Sequence, residues 1–378
     1  MKKCALFLAA LSLCAMFAGC DAEDPENLFE VPETTAPQDT VQLSTATEPA
    51  ASVDSDYYQY GNMQRNAPDG NFILYDGKIW FTWIEDGINL LYTYDVATGE
   101  VGLLCKDATC THDPVDASAL NCLANKVYGN LEQYRGELYA KSTDMQLIKW
   151  NGARFEKLLD GNVTCFWHGN GTLFVETQDM SLLAYEDESD SPRALLDEYA
   201  ERWNTTFGRY VYSGGFGKGF CRVDLTAENP QLEVLVPGVM GITDGQYFYY
   251  SDEADGDRLY RCDMNGQNTE LLVDQPVFMA SFNFDDEYLY FRMYNPDDMF
   301  GEGSHTLYRM DKADPGRMEQ MGEFPESIHS VYTVPGYDLL FVETVVFGME
   351  GENGTYYCYV MDLNSGSITP LDTSISEE

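Results

Sequence analysis

The sequence predicts an all-β chain, a β-propeller of seven four-stranded blades, with six or eight blades left open. Three observations predict it. Tight-turn pairs such as Asp76-Gly77, Asn170-Gly171, Asp244-Gly245 and Asn265-Gly266 punctuate alternating apolar runs. Such pairs supply positive φ at low cost and mark hairpins. The chain holds 26 Tyr and 20 Phe, nearly all of them downstream of Tyr57, and aromatic residues favour strands. The pattern also repeats. Turn markers at Gly77, Gly136, Gly171, Gly208 and Gly245, then Asp286 and Tyr337, step near the roughly 40–50-residue period of a four-stranded blade. One such sheet cannot hide both faces, whereas radial stacking buries both and leaves only short edges. A β-sandwich or two all-β domains is the alternative.

Unit one is Gly70–Cys105, with Asn71–Tyr75, Lys78–Trp83, Leu90–Val96 and Val101–Leu104 as strands. Unit two is Tyr128–Leu159, turning at Arg135-Gly136 and Asn151-Gly152. Unit three is Val163–Asp197, and unit four, the faintest, is Thr205–Val236. Unit five, Gly238–Val273, is the clearest and carries an acidic hairpin loop at Asp252–Asp257. Unit six is Phe278–Phe324 with a long loop through Met299–Ser304, and unit seven is Ile328–Leu371. Tyr57–Tyr60 pairing with the last unit would close the ring. Leu195–Trp203 is the best short helix candidate.

The aromatic second strands KIWFTW, ELYA, QYFYY, EYLYF and DLLFV are each followed by LLYTYD, LIKWN, RLYRCDMNG, TLYRMD or YCYVMD. These resemble the LYxxD repeats of TolB-like and low-density-lipoprotein-receptor-type β-propellers. The whole chain is similar to bacterial lipoproteins of this build. The resemblance covers about Gly70 to the C-terminus and implies a fold more than a function, since propellers serve as scaffolds, solute binders and enzymes.

The N-terminus sets the expected compartment. Lys2-Lys3 precede the apolar run Ala5–Ala18, which is too short and wrongly flanked for a stable transmembrane helix. Phe17-Ala18-Gly19-Cys20 resembles the lipobox of bacterial lipoproteins, with Phe17 in place of the usual Leu. Residues 1–19 then read as a lipoprotein signal peptide and Cys20 as the lipidated residue, held at a membrane by two or three acyl chains. An ordinary secretory signal with an incidental cysteine is the alternative. Residues 20–56 are poor in bulky apolar groups and read as a disordered tether. Its coil span is about 30–35 Å, at roughly 5–6 Å times the square root of length. Residues 57–378 form the propeller domain, with a Cys/His insertion at 105–127.

A formal net charge of −41 repels nucleic acid and anionic surfaces, so no nucleic-acid partner is expected. Otherwise it reads as a solvated acidic shell.

Cys165, Cys221, Cys262 and Cys358 lie singly in apolar runs and read as small buried hydrophobes. The remaining three cysteines share the insertion with a histidine. Cys105, Cys110, His112 and Cys122, spaced C-x4-C-x-H-x9-C, are a full tetrahedral set for zinc. The spacing departs from common zinc fingers, and an exported setting favours disulfides. A structural zinc site, a disulfide between two of the cysteines, or neither, stay open. A nucleophilic Cys110-His112-Asp113 arrangement is disfavoured, because triad members usually come together through the fold. His168, His305 and His329 stand singly, with Phe166-Trp167-His168 read as packing. Asp252–Asp257 offers four carboxylates but lacks the downstream Glu of an EF-hand, so a solvated hairpin is expected. Gly214–Gly219 with Lys218 is not G-x4-G-K-[ST] and reads as a flexible hairpin.

These features point to a membrane-anchored, extracytoplasmic module with no catalytic residues assigned. Its expected role is binding or scaffolding toward a protein or glycan partner, through the loops Tyr294–Ser304 and Phe347–Gly354. A carbohydrate-active or peptidase-type propeller enzyme with its site at the central funnel is the alternative.

Overall fold

Successive side chains of a strand point to opposite faces, and here both faces are apolar, so every sheet needs two neighbours. The computed structural model describes residues 71–371, apart from 86–87, 114, 117–118, 120–121, 187–190, 200, 202, 216, 302 and 347–353. The signal segment, Cys20, the tether and Tyr57–Tyr60 lie outside the described residues, as does Phe347–Gly354 up to its last position.

Blade 1 is β1 (Phe72–Tyr75), β2 (Lys78–Glu85), β3 (Ile88–Asp95) and β4 (Val101–Leu103); blade 2 is β5 (Val127–Tyr134), β6 (Glu137–Ser142), β7 (Leu147–Trp150) and β8 (Phe155–Leu159). Blade 3 runs through β9 (Val163–Gly169), β10 (Thr172–Thr177), β11 (Leu182–Glu186) and β12 (Arg193–Leu196). In blade 4 these are β13 (Thr205–Phe207), β14 (Tyr210–Ser213), β15 (Gly219–Asp224) and β16 (Leu232–Pro237). Blade 5 holds β17 (Met240–Thr243), β18 (Tyr247–Asp252), β19 (Arg258–Asp263) and β20 (Glu270–Pro276). Blade 6 has β21 (Asn283–Phe284), β22 (Tyr288–Phe291), β23 (Thr306–Asp311) and β24 (Met318–Glu323). Blade 7 ends the ring with β25 (Ser327–Thr333), β26 (Leu339–Val346), β27 (Thr355–Asp362) and β28 (Ile368–Pro370). Every sheet is an antiparallel meander of four strands consecutive in sequence.

Side-chain parity closes the ring. Ile73, Trp80 and Leu91 of blade 1 pack on Val127, Leu138 and Ile148 of blade 2. Tyr139 and Leu147 turn the other way, onto Phe166 and Val175 of blade 3. Trp167 and Phe174 face Val211 and Val223 of blade 4, and Tyr212 and Phe220 face Phe248 and Tyr250 of blade 5. Tyr249 meets Phe284 and Phe291 of blade 6, while Tyr290 and Leu307 meet Leu340 and Val342 of blade 7. Finally Phe341 and Val360 return to Phe72, Phe81 and Tyr92 of blade 1. Seven apolar clusters thus join seven blades in cyclic order, which sets the blade number and excludes two facing layers.

The recurrent polar residue at the end of each third strand is structural. Asp95, Asp263, Asp311 and Asp362 each accept, through Oδ1, the backbone N–H two residues on, and Asn151 does the same. Such Asx turns close the hairpin to the fourth strand. A second device spans three successive blades. Arg222, Arg261 and Arg309 lie over Tyr210, Tyr247 and Tyr288 and pair with Glu233, Glu270 and Glu319 on the outer strand. Some of the acids therefore close turns or pair at a blade edge. Asp263 accepts from the Asn265 and Gln267 N–H groups and from Asn268 Nδ2, and Asp263→Ala is expected to cost about 1–3 kcal/mol, at roughly 1 kcal/mol per hydrogen bond. Urea unfolding checks it; no change would mean the turn closes without the carboxylate.

Among the described residues of Leu195–Trp203, the expected helix does not form. Its first residues belong to β12, which pairs with β11, and Leu195 is buried against blade 4. Glu198 and Trp203 have φ of 59° and 57°, a left-handed backbone that ends any helical run. A segment this short has no helix stability of its own to set against a strand partner.

Candidate metal centre

In an antiparallel meander, the second-to-third-strand loops and the blade-to-blade connections emerge at one end. The longest connection there joins β4 to β5, and it carries the Cys/His group. No strand forms between Val101–Leu103 and Val127–Tyr134 among the described residues, so the segment must be shaped by turns and side chains.

The shaping is local. Asp107 Oδ1 accepts from the Thr109 N–H at 2.9 Å and hydroxyl at 2.7 Å, and Cys110 N–H donates to the Asp107 carbonyl at 3.0 Å. This turn swings Cys110 back toward Cys105. His112 takes the left-handed backbone, φ 59°, reversing the chain again, and its N–H points at Cys110 Sγ at 3.4 Å. The buried Asn125 side chain clamps the two arms, donating to the His112 carbonyl at 3.0 Å and the Ala119 carbonyl at 3.4 Å.

The result brings together all four residues expected from the sequence. One ligand atom from each of Cys105, Cys110, His112 and Cys122 lies within 4.8 Å of every other. His112 Nδ1 stands 3.4 Å from Cys122 Sγ. A tetrahedron with Zn–N of about 2.0 Å and Zn–S of about 2.3 Å has an N···S edge of about 3.5 Å. None of the three cysteines is disulfide-bonded in the structure. The Cys122 thiol is pushed up to about 12, chiefly by burial and with a smaller push from the thiols of Cys110 and Cys105, against the downward pull of the Asn125 and Ala124 backbone N–H groups. Those N–H donors are placed to hold a thiolate once a cation offsets the burial. The donor set therefore fits a metal ion, and four protein ligands leave no open coordination position.

Apolar packing seats the cluster. Ala119, Cys122 and Ala124 are buried in the same core that joins blade 7 to blade 1, and Cys105 and Cys110 pack against it. Ala124 O also accepts from Leu91 N–H of β3 at 2.8 Å.

The other candidates resolve differently. The ring of His112 faces Cys122, and Asp113 caps the Val115 N–H at 3.0 Å; no Cys110-His112-Asp113 relay forms. In the acidic loop, Asp252 caps a short 3-10 turn, Asp255 pairs with Arg258 and Tyr260, and Asp257 accepts from Tyr294. Cys165, Cys221, Cys262 and Cys358 are buried, and burial pushes Cys221 and Cys262 up to about 12, which leaves them unreactive. His305 contacts the Phe324 carbonyl. The glycines of 214–219 serve close packing more than flexibility, since a Cβ on Gly214 would lie 2.3 Å from Gly241 O.

Sequence reading missed several polar groups. His168 is a buried partner of Glu132 at 2.7 Å. Arg292, 0% exposed, lies over Phe278, 4.0 Å from the ring centre, with Nε and Nη2 unpartnered. His329 Nδ1 is 3.0 Å from both Glu343 Oε2 and Ser330 Oγ; with both on one nitrogen, the imidazole cannot relay a proton between them.

No known family model matches the chain, and no curated protein matches it. Among solved structures, it is similar to a chain from the crystal structure of the mitotic checkpoint complex. The TM-score is 0.46 at 12% identity, covering 89% of this chain and 98% of that one. It is also similar to the computationally designed Ika8 protein, with a TM-score of 0.43 at 11% identity over 82% of this chain and 88% of that one. The ring assignment rests on its own strand order and interfaces.

Proposed function

We propose that this chain is a binding or scaffolding propeller for a protein or glycan partner, lipid-anchored at Cys20 on the extracytoplasmic side of a membrane. One observation carries the binding role: the two ends of the ring are unlike. One end has tight first-to-second-strand turns, such as Asp76-Gly77, Arg135-Gly136 and Asn170-Gly171. Its third-to-fourth-strand connections are no longer than 225–231, whereas the other end holds the longer connections 104–126, 197–204 and 292–305. Adaptable loops on a rigid frame are the usual place for recognition. Val115, 89% exposed, is an apolar residue of the connection 104–126. The anchor reading rests on the N-terminal motif alone. Within this picture Cys105, Cys110, His112 and Cys122 hold one structural zinc ion, which shapes a connection that has no sheet of its own.

Two measurements test the reading. Cys20→Ser is expected to abolish incorporation of a clickable fatty acid and to move the protein from the membrane to the soluble fraction; membrane retention would sink the anchor. A photo-cross-linker at position 115 is expected to capture a partner that one at Tyr337, 43% exposed on the opposite end, does not. Equal capture at both positions would remove the case for a recognition end.

A further inference from the structure

The Cys/His group sits where the ring must close. Blade 1 and blade 7 each complete their own four strands from consecutive sequence, so among the described residues the ends of the propeller meet by side-chain packing. That seam is Phe72, Phe81 and Tyr92 against Phe341, Cys358 and Val360. The connection 104–126 lies on the same seam: Ala119, Cys122 and Ala124 belong to its buried core. It is also laced to β3, with Leu91 N–H donating to Ala124 O at 2.8 Å and Leu104 N–H to Leu91 O at 3.0 Å.

The geometry points to a zinc ion at Cys105, Cys110, His112 and Cys122 acting as the clasp of the ring, stabilising the blade 7–blade 1 seam as well as the loop that binds it. This rests on the zinc reading above and extends it. Four ligands spread over 18 positions of chain must converge before the ion binds, and convergence places Ala119, Cys122 and Ala124 against the seam. Binding free energy is then spent on ordering both. Without the ion, three thiols and an imidazole would be left packed together with no shared cation. The connection would loosen, and the apolar edge of blade 1 would lose its cover. A seam held by packing is the weakest joint of the closed ring, because every other pair of blades is also tied by a covalent connection, the longest being 104–126 itself between blades 1 and 2.

The test uses the full-length protein purified in detergent under reducing conditions. Metal analysis is expected to find one zinc per chain, released by a mercurial reagent that titrates thiolates. Hydrogen exchange is then followed with and without the ion. Removal is expected to speed exchange at least about tenfold in 104–126 and in β1–β3 and β26–β27, while blades 3 to 5 stay protected. Faster exchange confined to 104–126 would overturn the clasp and leave the zinc site standing. No bound zinc, together with failure of added Co²⁺ to give tetrahedral thiolate spectra, would overturn both. So would a mass two units low in a parallel sample prepared without reductant, with the bond mapped to the cluster. His112→Ala is expected to weaken metal affinity more than the about 10–100-fold typical of an outer-shell change. His112→Cys, which restores four soft ligands, is expected to recover both the metal and the seam protection. Seam protection that ignores the metal content of these two variants would overturn the clasp.

Discussion

Replacing Glu132 by Ala is expected to destabilise the folded ring by about 3–5 kcal/mol, the cost of stripping one member from a buried pair. Glu132 and His168 are each 2% exposed, on the innermost strands of blades 2 and 3. Glu132 Oε1 accepts the His168 backbone N–H at 2.8 Å, and Oε2 meets His168 Nδ1 at 2.7 Å. The imidazole is held between Tyr134 and Tyr139, with ring centroids 4.5 Å away in both cases. Its Nε2 has no partner, so the carboxylate is the whole of its polar support. Alanine would leave a main-chain donor and a ring nitrogen in an apolar slot that water does not reach. Glutamine keeps one acceptor for the N–H and is expected to cost less than half as much. Denaturant unfolding of the two variants decides it. An alanine variant within 1 kcal/mol of the parent would show that the pair does not hold these blades together.

The pair belongs to a wider arrangement. Innermost strands of a propeller have one edge facing the axis, where no further strand is available. Here side chains of the neighbouring blade satisfy part of that edge. Asn130 exchanges hydrogen bonds with the main chain of Phe166 at 3.4 and 3.3 Å. On the far side of the ring, Asn283 donates to Val331 O at 2.7 Å. Parity and apolar packing bring the blades together; these polar links fix their register along the axis.

Such links explain what sequence reading can and cannot reach. The blades were legible because their signals are local: Gly77, Gly136 and Gly171 all have positive φ, and the Asp that ends the third strand in blades 1, 4, 5, 6 and 7 acts on its own hairpin. Both effects live within a few residues. The Glu132–His168 contact spans 36 positions and two blades, so His168 could be read only as packing. Leu195–Trp203 was misread because a local helical pattern competes with a strand partner it cannot see. The metal centre falls between these cases. Its four ligands share one connection, so residue type and proximity were visible. Their convergence depends on the left-handed turn at His112 and the Asn125 clamp, which no spacing rule encodes.

Gly241→Ala is expected to cost about 3 kcal/mol or more, the upper range for overpacking. The argument is steric and needs no special φ. A Cβ at Gly241 would lie 2.0 Å from Tyr249 O and 2.7 Å from Tyr250 Cα. Those are main-chain atoms of β18, held by its ladder to β17 and β19, so neither can swing aside as a flexible side chain would. The neighbouring blade closes the other escape. Gly241 N–H donates to Gly214 O at 2.6 Å, and a Cβ on Gly214 would meet the Phe248 ring at 2.4 Å. Phe248 in turn stacks on Phe220 with ring centroids 3.8 Å apart. Two glycines facing each other therefore let the main chains of blades 4 and 5 approach to hydrogen-bonding distance; a methyl group on Gly214 would push the blades apart, and one on Gly241 would force β17 off β18 inside blade 5. Because the ring is closed, that displacement passes to every other interface, the blade 7–blade 1 seam included. Gly102→Ala serves as the control: its nearest neighbour would be Thr93 Oγ1 at 4.0 Å, and its cost should stay within about 0.5 kcal/mol. Thermal melts of both variants provide the comparison. Equal melting temperatures would mean that the β17–β18 pairing has slack enough to take a side chain, and that the bare Gly241 is not what holds β17 in place beside Gly214.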